Sequence, residues 1–353
     1  MTDSKQNLSV ADRARALVGN QTSLLIIVMM VLSALFTAFS NGTFLQSSVF
    51  ANIFTDWGSL ILLAVGQTLV VISGGIDLSV GSTVSLSTVV SGWVLVKLLG
   101  LQSTLPGNQP WGSASWGWLA IAAIVAVLTG LVVGAVNALL INVFKIVPFI
   151  ATLSTFGAAA GFAIIISGGM PLQGPNDFGL MNPVRVPGLD PKIFDTGLFS
   201  PMVIIMAIIT AIVGLFLHKA RFGLYTFSLG SNAFATRAAG INVARHTAKI
   251  YLVSGALSGF GGFFAYVRLG GGSPSAGMGM ELFAIAATVI GGASLMGGIG
   301  RIWGTVLGTL ILYTVQSGLL MVGVSADWKQ IIVALLIAAA VAVQTLQKKN
   351  GAR

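Results

Sequence analysis

Apolar residues run along this chain in long blocks, broken by short clusters of glycine, proline and charged residues. The blocks are too long and too uniform to be the half-buried faces of water-soluble helices. Runs approaching the roughly 20 residues that a helix needs to cross a bilayer are read at 22–40, 51–73, 78–98, 117–143, 147–167, 200–217, 249–268, 283–297, 303–323 and 329–346. The pattern predicts an all-α polytopic membrane protein of about ten transmembrane helices, with broken helices near 73–82 and 291–298, where paired glycines interrupt the blocks. The spans at 51–73 and 283–297 are the ones most affected by those breaks.

Between the spans, two stretches stand out. Residues 168–199 carry Pro171, Pro175, Pro183, Pro187 and Pro191 with mixed charge, the composition of a short cap. Residues 218–249 hold five Lys or Arg and no acid. Within them Ser231 or Asn232 can cap a short helix that Gly240 ends. Residues 1–20 are polar with a weak amphipathic pattern through Leu8, Val10, Ala14 and Leu17. The apolar run after them is read as an uncleaved first helix, not a secretory signal cut after Ser40, because nine further spans follow. The organisation is thus an N-terminal segment 1–20, one transmembrane domain 21–347 and a tail 348–353.

Composition supports this class. Of 353 residues, 8% are charged and 55% hydrophobic, against about 25% charged in a soluble domain. The 45 glycines suit helices packed closely in lipid. The net charge of +9 is a matter of topology: basic residues sit at the ends of apolar runs, not on a face interleaved with aromatics, so no nucleic acid is expected. With the N-terminus in the cytoplasm, thirteen Lys and Arg fall inside and five outside (Lys97, Arg185, Lys192, Arg268 and Lys329), which puts both termini in the cytoplasm.

Chemistry is sparse. Cysteine is absent, which removes thiolate metal sites and nucleophiles, and no metal site is expected. His218 and His246 lie in the basic stretch and are read as solvated. No GxxxxGK[ST] phosphate loop, HExxH or GxSxG occurs, so no catalytic residue is assigned. Among nine acids, Asp77 and Glu281 are read as the two at apolar runs, where a charge costs about 2.5–3.5 kcal/mol at a helix centre. Asp77 follows Gly74-Gly75 and can cap the helix restarting at Ser79, and the exposed backbone of the break can also line a solute path. A similar break recurs at Gly291-Gly292-Ala293-Ser294. GxxxG spacings at Gly130/Gly134, Gly157/Gly161, Gly255/Gly259, Gly300/Gly304 and Gly304/Gly308 mark close helix contacts.

Several ordered motifs carry a resemblance. Gly66-Gln67-Thr68-Leu69-Val70 leads into Gly74-Gly75-Ile76-Asp77-Leu78-Ser79-Val80-Gly81-Ser82; Asn137 and Pro148-Phe149-Ile150-Ala151-Thr152-Leu153 follow; then come Gly240-Ile241-Asn242-Val243, Ser254 to Gly259, and Glu281-Leu282 with Ile285 to Gly292. From about residue 55 to 346 the chain resembles the permease subunits of bacterial ABC importers for monosaccharides, of the ribose, xylose and galactose type. The resemblance implies a multi-pass inner-membrane subunit that pairs with a second copy of itself. It also implies a cytoplasmic ABC ATPase subunit, which would bind the ATP and Mg that this chain lacks, and a periplasmic sugar-binding protein. It makes the short helix the coupling helix, through Asn232, Phe234, Arg237, Ala238, Gly240 and Ile241. The substrate-path candidates are Gln67, Asp77, Ser79, Asn137, Phe149, Thr152, Glu281 and Ser294. Two departures stand out: Phe234-Ala235 where a Glu-Ala pair is frequent, and Phe283 where many members carry an acid. An ion-coupled secondary transporter or a passive channel is the rival class, with few titratable groups in the spans to support it.

Overall fold

The structure is a computed structural model that describes residues 21–99, 115–173 and 200–325, with isolated helical positions from Trp328 to Ala342. The expected segment 1–20, most of the proline-rich cap, the tail and much of the last span lie outside the described residues. The helices are α1 (Gln21–Phe39), α2 (Ser47–Ile72), α3 (Ser79–Trp93, prolonged by a π-helical turn at Val94–Leu98), α4 (Ser115–Asn142) and α5 (Pro148–Ser167). After the cap come α6 (Pro201–Lys219), α7 (Arg221–Ser231), α8 (Ala233–Ala238), α9 (Val243–Leu269), α10 (Met280–Ile290) and α11 (Ile302–Met321). A two-residue antiparallel bridge pairs Leu172 with Gly272 and Gln173 with Gly271. Among the described residues eight helices are long and apolar enough to cross a membrane, and the chain is an all-α polytopic membrane protein.

Three expectations change. The run 283–297 is not a full span: α10 has 11 residues, a rise of about 16 Å at 1.5 Å per residue, roughly half the bilayer core. It stops because Gly292, Gly297 and Gly298 all take positive φ, a conformation that side chains with a Cβ resist. The span expected from 249 begins at Val243, since Asn242 Oδ1 accepts from Arg245 N at 2.9 Å and caps it. The basic stretch also contains α7, whose Thr226 Oγ1 lies 2.9 Å from His246 Nε2. His246 is therefore buried among Phe222 and Tyr225 and is not a solvated residue.

α3 is the centre of one half of the body. Its hydroxyls turn inward, with Ser87 Oγ donating to Ala126 O at 3.2 Å and Ser91 Oγ to Ala122 O at 3.0 Å on α4. α2 organises the other half: Thr68 Oγ1 stands 2.7 Å from Thr305 Oγ1 and 3.2 Å from Thr288 Oγ1, joining α2, α10 and α11, and Trp57 Nε1 donates to Thr309 Oγ1 at 2.8 Å. Such bonds hold helices together where lipid supplies no hydrophobic drive.

The most extensive helix contact is between α4 and α9, and two of the GxxxG pairs make it. A Cβ on Gly130 would run into Gly255 O and lie 2.8 Å from Gly259 Cα, while one on Gly255 would lie 3.0 Å from Gly134 Cα. Gly304 and Gly308 likewise receive Gly291 and Ala287. Gly157 and Gly161 on α5 have nothing within 4 Å. We expect Gly130→Val to cost about 1–3 kcal/mol by overpacking and to lower the thermal transition of the detergent-purified protein, with Gly157→Ala leaving it in place. Equal shifts for the two would contradict this crossing.

Candidate functional site

α2 ends at Ile72 and α3 starts at Ser79, so six residues at the junction belong to neither helix. Gly74 takes φ +84° and turns the chain. Gly75 is small because Tyr251 Oη sits against it: a Cβ there would be 2.7 Å away. The free polar groups of this stretch need partners inside the protein, and five helices supply them. Asp77, 2% exposed, accepts at Oδ1 from Ser79 N (2.9 Å) and Ser79 Oγ (2.6 Å), and at Oδ2 from Ser254 Oγ on α9 (3.2 Å). Ser79 Oγ in turn accepts from Asn137 Nδ2 on α4 at 2.8 Å, and Asn137 Oδ1 accepts from Thr155 Oγ1 on α5 at 2.5 Å. Thr152 Oγ1 donates to Ile76 O at 3.1 Å. Gln67 on α2, its amide oriented to suit its neighbours, donates to Asp77 O at 2.9 Å and accepts from Asp77 N at 3.3 Å.

Five of the eight path candidates, Gln67, Asp77, Ser79, Asn137 and Thr152, thus meet in one buried cluster around the first break. Thr155 and Ser254 complete it; neither is among the path candidates, although Ser254 opens one of the motifs that carry the resemblance. Phe149 is exposed at the start of α5. Glu281 lies elsewhere, at the start of α10, its carboxylate pressed on Gly81 and its buried Oε2 without a hydrogen-bond partner. Ser294 stands in the second break, where its N–H donates to Ile299 O at 2.9 Å.

The breaks touch. Gly298 N donates to Ile72 O at 2.8 Å, and a Cβ on Gly297 would be 3.1 Å from Gly74 Cα and 2.7 Å from Gly230 O, at the end of α7. Beyond α7 stands α8. Asn232, not Ser231, caps it, accepting from Ala235 N at 2.9 Å, while Ser231 Oγ donates back to Phe227 O. Gly240, at φ +82°, closes it, with Gly240 N donating to Arg237 O at 3.0 Å and Ile241 N to Thr236 O at 3.3 Å. Phe234 is 83% exposed, and Arg237 and Ala238 are exposed beside it.

At the far end of α9 a cleft of about 310 Å³ opens. It is lined by Asp56 and Ser59 of α2, Arg268 of α9, Phe283 of α10, and Tyr313 and Gln316 of α11, and Arg268 forms an ion pair with Asp56. None of the eight path candidates lines it. Asp56 is a third acid within an apolar run, since α2 begins at Ser47; the sequence reading, which named Asp77 and Glu281 alone, missed it. The signal was an acid within the predicted 51–73 span. Among the described residues no cluster of ligating side chains could hold a metal ion.

Residues 49–341 match the family described as branched-chain amino acid transport system / permease component. The chain belongs to this permease family. Among its relatives are the ribose import permease protein RbsC of Escherichia coli, 34% identical over 90% of this chain and 92% of that one. The galactose/methyl galactoside import permease protein MglC of Haemophilus influenzae is 32% identical over 91% and 93%, and the D-allose transport system permease protein AlsC of Escherichia coli 32% over 91% of each. The comparisons therefore return the resemblance to monosaccharide ABC permeases that the motifs carry. No solved structure matches. This permease is a multi-pass protein of the bacterial inner membrane.

Removing the Asp77 carboxylate strands three buried donors, Ser79 N, Ser79 Oγ and Ser254 Oγ. Asp77→Ala is expected to cost at least about 2 kcal/mol and Asp77→Asn, which keeps an acceptor, less. Thermal unfolding of the two purified variants, followed by intrinsic fluorescence, checks the order.

Proposed function

We propose that this permease forms, as a homodimer, the membrane path of an ATP-driven importer for a monosaccharide or related polyol. A periplasmic binding protein delivers the solute and a separate cytoplasmic ABC ATPase, binding ATP and Mg, drives it. The observation that carries the reading is α8: a helix of six residues, closed by its own caps and presenting Phe234 and Arg237 outward, is shaped to enter a partner. The relatives named for ribose, galactose and allose import support the solute class. The excess of Lys and Arg at the α8 end supports a cytoplasmic position for it.

In this reading the transmembrane domain 21–347 works as one unit. Gln67, Asp77, Ser79, Asn137 and Thr152 hold the broken backbone that shapes the path. Phe149, Glu281 and Ser294 meet the solute or its water, and the unpartnered Glu281 Oε2 supports that role. The Asp56–Arg268 cleft adds donors, acceptors and aromatic faces, the mixture by which a neutral polyol is held. Asn232, Phe234, Arg237, Ala238, Gly240 and Ile241 form the contact with the ATPase.

The test is purification of the tagged chain from gently solubilised native membranes, with mass spectrometry and an ATPase assay of the eluate. Recovery of an ATP-binding subunit with vanadate-sensitive activity is expected; this chain alone, with ATP-independent transport, would favour a channel or secondary transporter. Arg237→Glu is expected to abolish uptake with membrane insertion intact, because it inverts a charge at the contact. Normal uptake by that variant would count against the assignment of α8.

A further inference from the structure

Three segments far apart in sequence meet backbone to backbone beside α8. Gly230 is packed on Ile72 O so tightly that a Cβ could not be added, and the same Cβ would be 2.6 Å from Gly298 N. A Cβ on Gly298 would be 2.5 Å from Ser231 Oγ, the residue before the cap of α8. The left-handed pair Gly297-Gly298 makes this approach possible. The turn they belong to is internally fixed: Gly297 N donates to Ser294 O at 2.9 Å, and Met296 N to Ser294 Oγ at 3.3 Å. Yet its tip is apolar and uncovered, with Met296 76% and Ile299 64% exposed.

Lipid does not account for that exposure. Arg301 follows at once, and a Cβ on Gly214 would lie 3.7 Å from Ile302, which sets Arg301 at the same end as Lys219 and Arg221. Cations at this level belong to the headgroup zone or the water beyond it. No acid occurs between Asp195 and Glu281 or between Glu281 and Asp327, so the charged residues of the segments beside the turn, Lys219, Arg221 and Arg301 among them, are basic.

We infer that the turn from Ser294 to Gly300 is a second contact for the cytoplasmic ATP-hydrolysing subunit, continuous with α8 and offering Met296 and Ile299 to an apolar depression with an acidic rim. The inference rests on the importer reading above. It makes the docking surface bipartite: Phe234 on one side of the Gly230–Gly298 contact, Met296 on the other. Movement of the motor would then bear on the second break directly as well as through α8.

The absence of native cysteine allows a clean test. Phe234→Cys, Met296→Cys and, as a control near the opposite end of α9, Met170→Cys are each labelled with benzophenone maleimide. The purified complex is irradiated, and adducts are identified by mass spectrometry. Phe234→Cys and Met296→Cys are expected to give covalent adducts with the ATPase subunit that Met170→Cys does not give. Adducts from Phe234→Cys alone overturn the second contact and leave the importer reading standing. An adduct from Met296→Cys to another copy of this chain overturns it by making the turn a self-contact. Adducts from Met296→Cys alone uphold the turn and remove α8 from the interface. If neither variant reacts with a co-purified ATPase both assignments fall, and if no ATPase co-purifies the importer reading falls first.

Discussion

Between Ile72 and Ser79 the chain leaves the helix, and in the middle of an apolar body its peptide groups have no water to turn to. Each unmet group there costs several kcal/mol, so the break exists only because side chains from elsewhere stand in for the missing helical bonds. Gln67 takes both backbone groups of Asp77, Thr152 takes the carbonyl of Ile76, and Asp77 holds the first turn of α3. The Thr155–Asn137–Ser79–Asp77–Ser254 chain then binds α3, α4, α5 and α9 to one point. The positions of α3, α4, α5 and α9 follow from that single requirement.

The close crossing of α4 and α9 is part of the same arrangement. Asn137 and Ser254 reach the break only if their helices approach without side chains between them, and Gly130, Gly134, Gly255 and Gly259 permit that. α2 is anchored separately, through the hydroxyls of Thr68, Thr288 and Thr305. The two anchorages share one seam, where Gly298 N reaches Ile72 O.

Much of this was legible in the sequence because its causes are local. Gly74-Gly75 followed by Asp77 announces a break and a cap, and Asn232 with Gly240 announces a short helix, whatever the rest of the chain does. What was not legible depends on neighbours. The length of α10 is set by the φ angles of Gly292, Gly297 and Gly298, whereas hydropathy registers only that the residues are apolar. His246 looks solvated in a basic stretch until α7 folds over it. Asp56 and Arg268 are separated by most of the chain, and no spacing rule pairs them. Thr155 resembles any other small polar residue in a span, and Ser254 marks a motif without a stated role, until the break supplies something for them to bind.

Asn232 and Asn242 cap successive helices with their own side chains and Gly240 closes the one between them, so residues 232–242 satisfy their termini without borrowing a single group from the membrane body. Such a segment is a separable module. Its outward residues, Phe234 foremost among them, can be exchanged without disturbing the fold beneath. On the proposed reading, in which this module meets the motor, lineages of permeases and motors can drift into mutually exclusive pairs by changing a few exposed side chains, and cells holding many related transporters can keep each one matched to its own engine.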